Sequence, residues 1–320
     1  MQTTLNILET VLLVLAILVA LGLAATVAVA LLKILRTRRD GKKDSDGELE
    51  LTSLDKELAE RVQEVKRSFL PEKQRKKLPK NKEDKAYDST VFVVDFHPSL
   101  RAHEVDVLRK EIDVITQVAT SKDEVVVRID SPGGTVNGYG HAASQLLRVH
   151  NAGIPLTICV DEVAASGGYM CAAVADKIIA APFAYIGSIG VVAGMPNFVG
   201  LMKKLGVTYL ELTAGENKRT LTPFSEPTPQ KEAIELERLQ AIHDAFKNLI
   251  RQRRPNLDID KVADGNYWLA VNAKELGLVD VIQTSDEYLI QQSQANRRIL
   301  KISYKDEKTG LLSRVLQSIS

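Results

Sequence analysis

The longest apolar run in the chain lies near its amino terminus. Residues 11–32 read VLLVLAILVALGLAATVAVALL, 22 residues without a charged side chain. At about 1.5 Å of rise per helical residue, such a run crosses the roughly 30 Å hydrocarbon core of a bilayer. Only Glu9 carries a charge before the run and the basic residues follow it, which favours an uncleaved anchor over a cleaved signal peptide. We therefore predict that residues 1–35 form a single-pass transmembrane anchor, with residues 11–32 in the lipid bilayer.

The segment after the anchor is strongly charged. Six basic residues come first: Lys33, Arg36, Arg38, Arg39, Lys42 and Lys43. By the positive-inside rule they predict that the bulk of the chain stays in the cytoplasm. Residues 36–88 as a whole mix acids and bases with few branched or aromatic side chains, so they cannot bury a core. We predict a charged spacer there, helical in part over residues 51–69.

From about Ser89, apolar runs of strand length alternate with longer segments of helical periodicity. The predicted strands are 91–96, 125–129, 156–160, 177–181, 207–212 and 279–282. The predicted helices are 104–119, 139–149, 167–175, 229–253 and 273–276. Such alternation predicts an α/β domain over residues 89–284 with mostly parallel strands, whose sites lie at the carboxyl ends of the strands. Residues 285–320 are predicted as a strand/helix extension.

A second apolar run, residues 178–202, contains two prolines and several glycines, which a spanning helix would not tolerate. We predict that it is buried core.

Composition and charge argue against several classes of function, namely nucleic-acid, metal and nucleotide binding. Forty-two Lys and Arg against 41 Asp and Glu leave a net charge of +1, so there is no global electrostatic reason to expect a nucleic-acid partner. The two cysteines, Cys159 and Cys171, are too few for a disulfide framework or a zinc cluster and are predicted as small core residues. The glycine-rich loops lack the Lys spacing of a phosphate cradle. We expect no nucleotide, metal or other cofactor.

Three loops carry candidate chemistry. In the first, DSPGG at 130–134, paired glycine amides can approach an oxyanion, although glycine pairs are also common in ordinary turns. In the second, Ser166 stands at a helix start beside the Gly167 amide, as a nucleophile or only as an N-cap. In the third, Lys218 can serve as a base if it is neutral, or can be simply solvated. None of the five histidines has an accompanying acid signature, and most are predicted to lie on the surface.

In this order, the motifs resemble the signal peptide peptidase A family of serine proteases, most closely its SohB-like branch. The resemblance rests on DSPGG at 130–134, ASGGYM at 165–170, IGSIGVV at 186–192, TAGENKRTLTPF at 213–224 and GLVD at 277–280. It implies a ClpP/crotonase-like α/β superhelix of repeated strand-strand-helix units. It also implies the following roles: nucleophile Ser166, general base Lys218, lysine-orienting Ser188, and oxyanion amides Gly133 and Gly167.

The resemblance implies a membrane-anchored serine endopeptidase that hydrolyses residual signal peptides or membrane-protein fragments. It implies a homo-oligomer in which neighbouring subunits complete each site, and a place in the bacterial inner membrane with the catalytic domain in the periplasm. The basic residues after the anchor predict the cytoplasmic side instead. Two other functions stay open at this point: a crotonase-like acyl-CoA enzyme and a catalytically silent membrane scaffold.

Overall fold

A computed structural model describes residues 48–71, 86–215 and 217–305 of the chain. The anchor predicted over 11–32 lies outside these residues. Within the described ranges, no helix has both the length and the apolar character that crossing a membrane requires.

Ten strands and nine helices make up the described part of the chain. The strands are β1 Glu48–Ser53, β2 Ser89–Phe96, β3 Glu124–Ile129, β4 Leu156–Val160, β5 Val163–Ala165, β6 Lys177–Ala180, β7 Tyr185–Gly187, β8 Tyr267–Leu269, β9 Val281–Ile282 and β10 Arg297–Lys305. The helices are α1 Leu54–Ser68, α2 Val105–Val118, α3 Val136–Asn151, α4 Gly167–Ala172, α5 Val199–Lys204, α6 Pro229–Arg253, α7 Ile259–Val262, α8 Ala270–Glu275 and α9 Ser285–Gln294.

A seven-stranded sheet in the order β1-β10-β2-β3-β4-β6-β9 forms the centre of the fold. The pairs from β10 through to β9 are all parallel. Its central strands, such as VFVVDF in β2 and EVVVRI in β3, are almost continuously apolar because both faces of the sheet are covered. The structure thus confirms a mixed α/β fold with a largely parallel central sheet.

A second, three-stranded sheet in the order β5-β7-β8 carries the loops of interest. Each of its first two strands follows directly on a strand of the main sheet, β5 after β4 and β7 after β6. The segment after β3 makes the same step, because Ser131 forms a parallel bridge with Ala164 of β5. The segments that follow three successive strands of the main sheet, β3, β4 and β6, therefore all lie at the small sheet.

The two faces of the main sheet are buried against different helices. Alternate side chains of β2, beginning with Phe92, join Leu108 and Ile112 of α2 and Leu146 of α3 in the larger core. The intervening side chains, such as Val91, pack with Tyr288 and Leu289 of α9. Cys159 and Cys171 are buried free thiols, as predicted, and burial raises the pKa of both thiols.

Two sequence-based predictions about the segment after β7 are wrong. Residues 207–212 do not form a strand, because no neighbouring strand in the described chain supplies a hydrogen-bonding ladder for them. The run 178–202 is buried only in part: Phe183 is 80% exposed, and beyond Ile189 no residue of the run is buried, with Val192 91% exposed. The apolar side chains from Val192 to Leu212 are therefore a surface and not a core.

The carboxyl-terminal segment enters the main sheet. β10 pairs in parallel with β2, with Ile299 opposite Val91, and so lies between β1 and β2. In the described part of the extension predicted for residues 285–320, helix α9 is followed by strand β10.

Candidate active site

Ser166 occupies a sharp turn between β5 and α4. Its backbone has φ +52° and ψ −119°, a conformation that costs a non-glycine residue about 1–3 kcal/mol. Its amide donates to the Gly187 carbonyl at 2.8 Å and its carbonyl accepts from the Met170 amide at 2.9 Å, and these bonds hold the turn. The hydroxyl makes no capping hydrogen bond to α4. The geometry thus does not support the N-cap interpretation, and it leaves the hydroxyl available to a ligand.

The DSPGG loop packs directly against this turn. Gly133 has φ +97°, and a Cβ built on it would lie 2.7 Å from both the Ala165 carbonyl oxygen and the Ser166 Cβ, and 2.8 Å from the Gly167 nitrogen. A Cβ on Gly168 would lie 2.4 Å from the Ser131 carbonyl oxygen. Only glycine at these positions allows the two loops to approach so closely. The predicted residues Gly133, Ser166 and Gly167 therefore lie together.

A buried hydroxyl pair supports the DSPGG loop from beneath. The Ser131 hydroxyl lies 2.6 Å from the Tyr139 hydroxyl and accepts a hydrogen bond from the Gly133 amide at 3.1 Å. Burial is the main reason why the pKa of Tyr139 is raised, so this phenol stays protonated and can donate. In this structure the Gly133 amide thus donates to the Ser131 hydroxyl. Gly167 is the first residue of α4, and the first amides of a helix have no acceptor within that helix.

Ser188 follows β7 and has a strained backbone of its own, with φ +52°. Its amide donates to the Asn266 carbonyl at 2.6 Å. Asp264 closes the turn that contains Asn266. Its carboxylate accepts hydrogen bonds from the Asn266 backbone amide at 3.0 Å and from the Asn266 side-chain Nδ2 at 2.6 Å. Ser188 is therefore positioned by a turn that immediately precedes β8.

These loops surround a cleft of about 460 Å³. It is lined by Gly134, Val136, Ser166, Ser188, Gly190, Val191, Val192, His243, Ala263, Asp264 and Gly265. A narrower apolar recess adjoins Ser166 and is lined in addition by Tyr139, Gly167, Met170, Ile242 and Phe246. A half-buried serine at a cleft, beside a recess lined mostly by apolar side chains, suits attack on a carbonyl whose neighbouring side chain is small and apolar.

Known proteins resemble this chain along most of its length. The profile described as "Peptidase family S49 N-terminal" matches residues 4–146, and "Peptidase family S49" matches residues 148–298. "Probable protease SohB" of Haemophilus influenzae is 42% identical over 301 residues, which cover 88% of this chain and 85% of that protein. The chain belongs to peptidase family S49.

Two further similarities accompany this assignment. "Probable protease SohB" of Buchnera aphidicola subsp. Acyrthosiphon pisum is 46% identical to this S49 chain, over 72% of it and 68% of the relative. A solved structure of a mutant of the 1510-N membrane-bound stomatin-specific protease superposes with a TM-score of 0.43 at 16% identity, covering 64% of this chain and 84% of that one.

Lys218 of this S49 chain lies apart from the cleft. It is exposed, is absent from the residues that line the Ser166 cleft, and sits in a turn closed by its amide and the Gly215 carbonyl at 3.1 Å. The loop is tied to α6, because Arg238 donates to the Asn217 carbonyl at 3.0 Å and to the Thr220 hydroxyl at 3.1 Å. A single chain therefore brings together Ser166, Ser188, Gly133 and Gly167, but not Lys218.

Helix α6 contributes to the S49 cleft, which the sequence motifs do not indicate. Ile242, His243 and Phe246 of this helix line the cleft or its apolar recess. Their spacing, continued by the buried Ile250, is that of one helix face, so the periodicity of α6 was the signal that could have identified them. His97, His103 and His141 are exposed as predicted, whereas His243 is half-buried.

Proposed function

We propose that this S49 peptidase is a serine endopeptidase in which Ser166 is the nucleophile and Lys218 the general base. The observation that carries the proposal is the Ser166 turn: a strained backbone presents an uncapped hydroxyl to a cleft, next to an apolar recess. Strained backbone conformations persist only where the surrounding structure holds them. They are found most often at active sites.

The reaction follows from these positions. Lys218 in its neutral form accepts the Ser166 proton as the serine oxygen bonds to the carbonyl carbon of the peptide. The amides of Gly133 and Gly167 stabilise the resulting oxyanion, for which the Gly133 amide leaves the Ser131 hydroxyl. The carbon–nitrogen bond then breaks, the leaving amine takes the proton, and water hydrolyses the acyl-enzyme. Ser188 orients the lysine, and the mechanism uses no metal or cofactor.

The base reaches the nucleophile, in this proposal, across a subunit interface. Lys218 is exposed and does not line its own cleft, and the segment leading to it exposes large apolar side chains, among them Val192, Leu205, Leu210 and Leu212. A contiguous set of exposed apolar residues favours protein association. A homo-oligomer that buries this segment supplies Lys218 of one copy to Ser166 of the next.

The experiment uses the full chain in detergent with a signal-type peptide rich in small apolar residues. Wild type is expected to cleave it, with a rate that rises towards alkaline pH because the base must be neutral. Ser166→Ala and Lys218→Ala are expected to lose cleavage while staying folded, whereas the surface controls Ser144→Ala and Lys122→Ala keep it. Equal behaviour of all five proteins contradicts the proposal and favours the silent scaffold, and acyl-CoA turnover without peptide cleavage favours the crotonase-like enzyme.

We also propose that residues 11–32 anchor the peptidase in the bacterial inner membrane, where apolar peptides remain after cleavage. Alkaline phosphatase fused after Ser320 distinguishes the two sides. Phosphatase activity indicates a periplasmic domain, as the family resemblance implies, and its absence indicates the cytoplasmic side that the basic residues predict.

A further inference from the structure

Helix α6 places a histidine in the same cleft as the nucleophile. Phe246 and Ile250 fix the helix in the core, and α6 packs against α4, the helix that starts directly after Ser166. His243 lines the cleft together with Ser166 and Ser188. The position of His243 on α6 is therefore set by core packing, and the residue forms part of the cleft wall.

One nitrogen of the His243 imidazole, Nε2, has no hydrogen-bond partner among the described residues. This nitrogen is also shielded from solvent. Buried polar atoms are almost always paired, because an unpaired one loses its hydration without compensation. Other polar side chains of α6 have partners: Gln240 donates to Asp244 at 3.1 Å, and Lys247 pairs with Asp260. His243 is the exception on the face that meets the cleft.

The other polar groups of the cleft form no hydrogen bond with His243 Nε2. The Asp264 carboxylate already accepts two hydrogen bonds from Asn266. No hydrogen bond joins His243 to Ser166 or Ser188 among the described residues, so the histidine does not act as a base on the serine in this arrangement. The partner of the imidazole must come from outside this part of the chain.

We propose that His243 binds the peptide substrate through a hydrogen bond to its main chain. A neutral imidazole has one donor and one acceptor, and a peptide offers an amide and a carbonyl at every residue, so the two are complementary. The proposal includes a rotation of the His243 ring that turns the shielded nitrogen from the cleft wall towards the peptide. This inference rests on the proposed function and deepens it by naming a substrate-binding residue outside the serine and lysine loops.

The test measures peptide binding without cleavage. The full chain carrying Ser166→Ala is titrated with a fluorescent signal-type peptide, and the Kd is compared with that of the same chain carrying also His243→Leu, His243→Gln or Gln240→Leu. We expect His243→Leu to raise the Kd about 5- to 10-fold, as the loss of one hydrogen bond does. His243→Gln keeps a donor and an acceptor and is expected to recover most of the affinity. Gln240→Leu, on the same helix outside the cleft, leaves the Kd unchanged.

Several results would overturn the inference. One is an unchanged Kd for His243→Leu, and another is the absence of any peptide binding to the host chain. A third is a rise in Kd accompanied by a lower thermal midpoint or a changed oligomer mass, which assigns His243 to folding or to a subunit contact. A fourth is loss of fluorophosphonate labelling of Ser166 in the single His243→Leu variant with the peptide Kd unchanged, which assigns the histidine to the nucleophile.

The binding assay separates this inference from the proposed function. If wild type does not cleave but the Kd depends on His243, the peptide site stands and the peptidase proposal fails. If wild type cleaves and the Kd is independent of His243, only the present inference fails.

Discussion

The amide of Ser166 donates a 2.8 Å hydrogen bond to the carbonyl of Gly187, the residue directly before Ser188. This bond continues the parallel pairing of β5 with β7, in which Ala165 lies opposite Gly187. Two residues with strained backbones, Ser166 and Ser188, are thus fixed at the same end of two neighbouring strands. The small sheet is the element that holds the candidate nucleophile and the second serine in register.

The close approach at Gly133 predicts a large effect of a single methyl group. Gly133→Ala places its Cβ against the Ala165 carbonyl and the Ser166 side chain in addition to straining a positive φ. We expect at least a 100-fold loss of kcat/KM and a lower urea midpoint. Gly153→Ala is the matched control, because Gly153 has φ +73° with no atom within 4 Å of a built Cβ, so it costs only about 1 kcal/mol of backbone strain. Equal activities of the two variants would show that the contact is unimportant.

The Asp264 turn is predicted to act through Ser188. Asp264→Ala removes both hydrogen bonds that close the Asn266 turn, and the Asn266 carbonyl then holds the Ser188 amide less firmly. We expect kcat to fall roughly 10-fold with little change in KM or in the thermal midpoint, and Asp264→Asn to restore part of the rate. Asp258→Ala, an exposed aspartate away from the cleft, should behave like wild type. A change confined to KM would instead place Asp264 in substrate binding.

The separation of Lys218 from Ser166 predicts complementation between inactive chains. Ser166→Ala and Lys218→Ala proteins are each expected to be inactive. When they are co-assembled at equal amounts, a site built from two copies has about one chance in four of containing both native groups. Activity near a quarter of wild type is therefore expected after co-expression, whereas a site contained in one chain would stay inactive in every mixture. Leu210→Asp should lower the oligomer mass and abolish the recovered activity, because Leu210 belongs to the exposed apolar segment and does not line the cleft.

Glu111 predicts a pH dependence of stability that is independent of catalysis. Burial under the sheet raises the pKa of Glu111 to about 7, although its carboxylate accepts a hydrogen bond from the Tyr304 amide. The folded state therefore holds this proton more tightly than the unfolded chain, whose value is near 4.5. The associated stability is fully present below pH 4.5 and is lost as the pH rises through 7.

Urea unfolding between pH 5 and 8 measures this effect. The free energy of unfolding should decline with pH by up to roughly 1 kcal/mol per unit from this group. Glu111→Gln is expected to remove that part of the slope, whereas Glu64→Gln, an exposed control on α1, should leave it intact. A Glu111→Gln profile parallel to that of wild type would contradict the assignment.

The bounds of several helices and strands follow from the pattern of residues along the chain. The periodicity of α6 and the apolar run of β4 gave the observed bounds, and the glycine pairs marked the turns beside Ser166, because these features depend on neighbours along the chain. The sequence also carried the motifs by which family S49 was identified. The same local pattern misled at residues 207–212, where an apolar stretch typical of a strand has no neighbouring strand to pair with.

Which residues share a site depends instead on contacts between distant segments of the folded chain. The tertiary structure brought Ser166, Ser188 and Gly133 to one small sheet, placed His243 in the wall of their cleft and left Lys218 outside it. These contacts join segments up to about a hundred residues apart in the chain. They depend on the crossover connections between parallel strands and on the packing of α6 against α4. Sequence periodicity reports which face of an element is buried, but not what that face meets, so the histidine and the exposed lysine loop could be assigned only once the chain was folded.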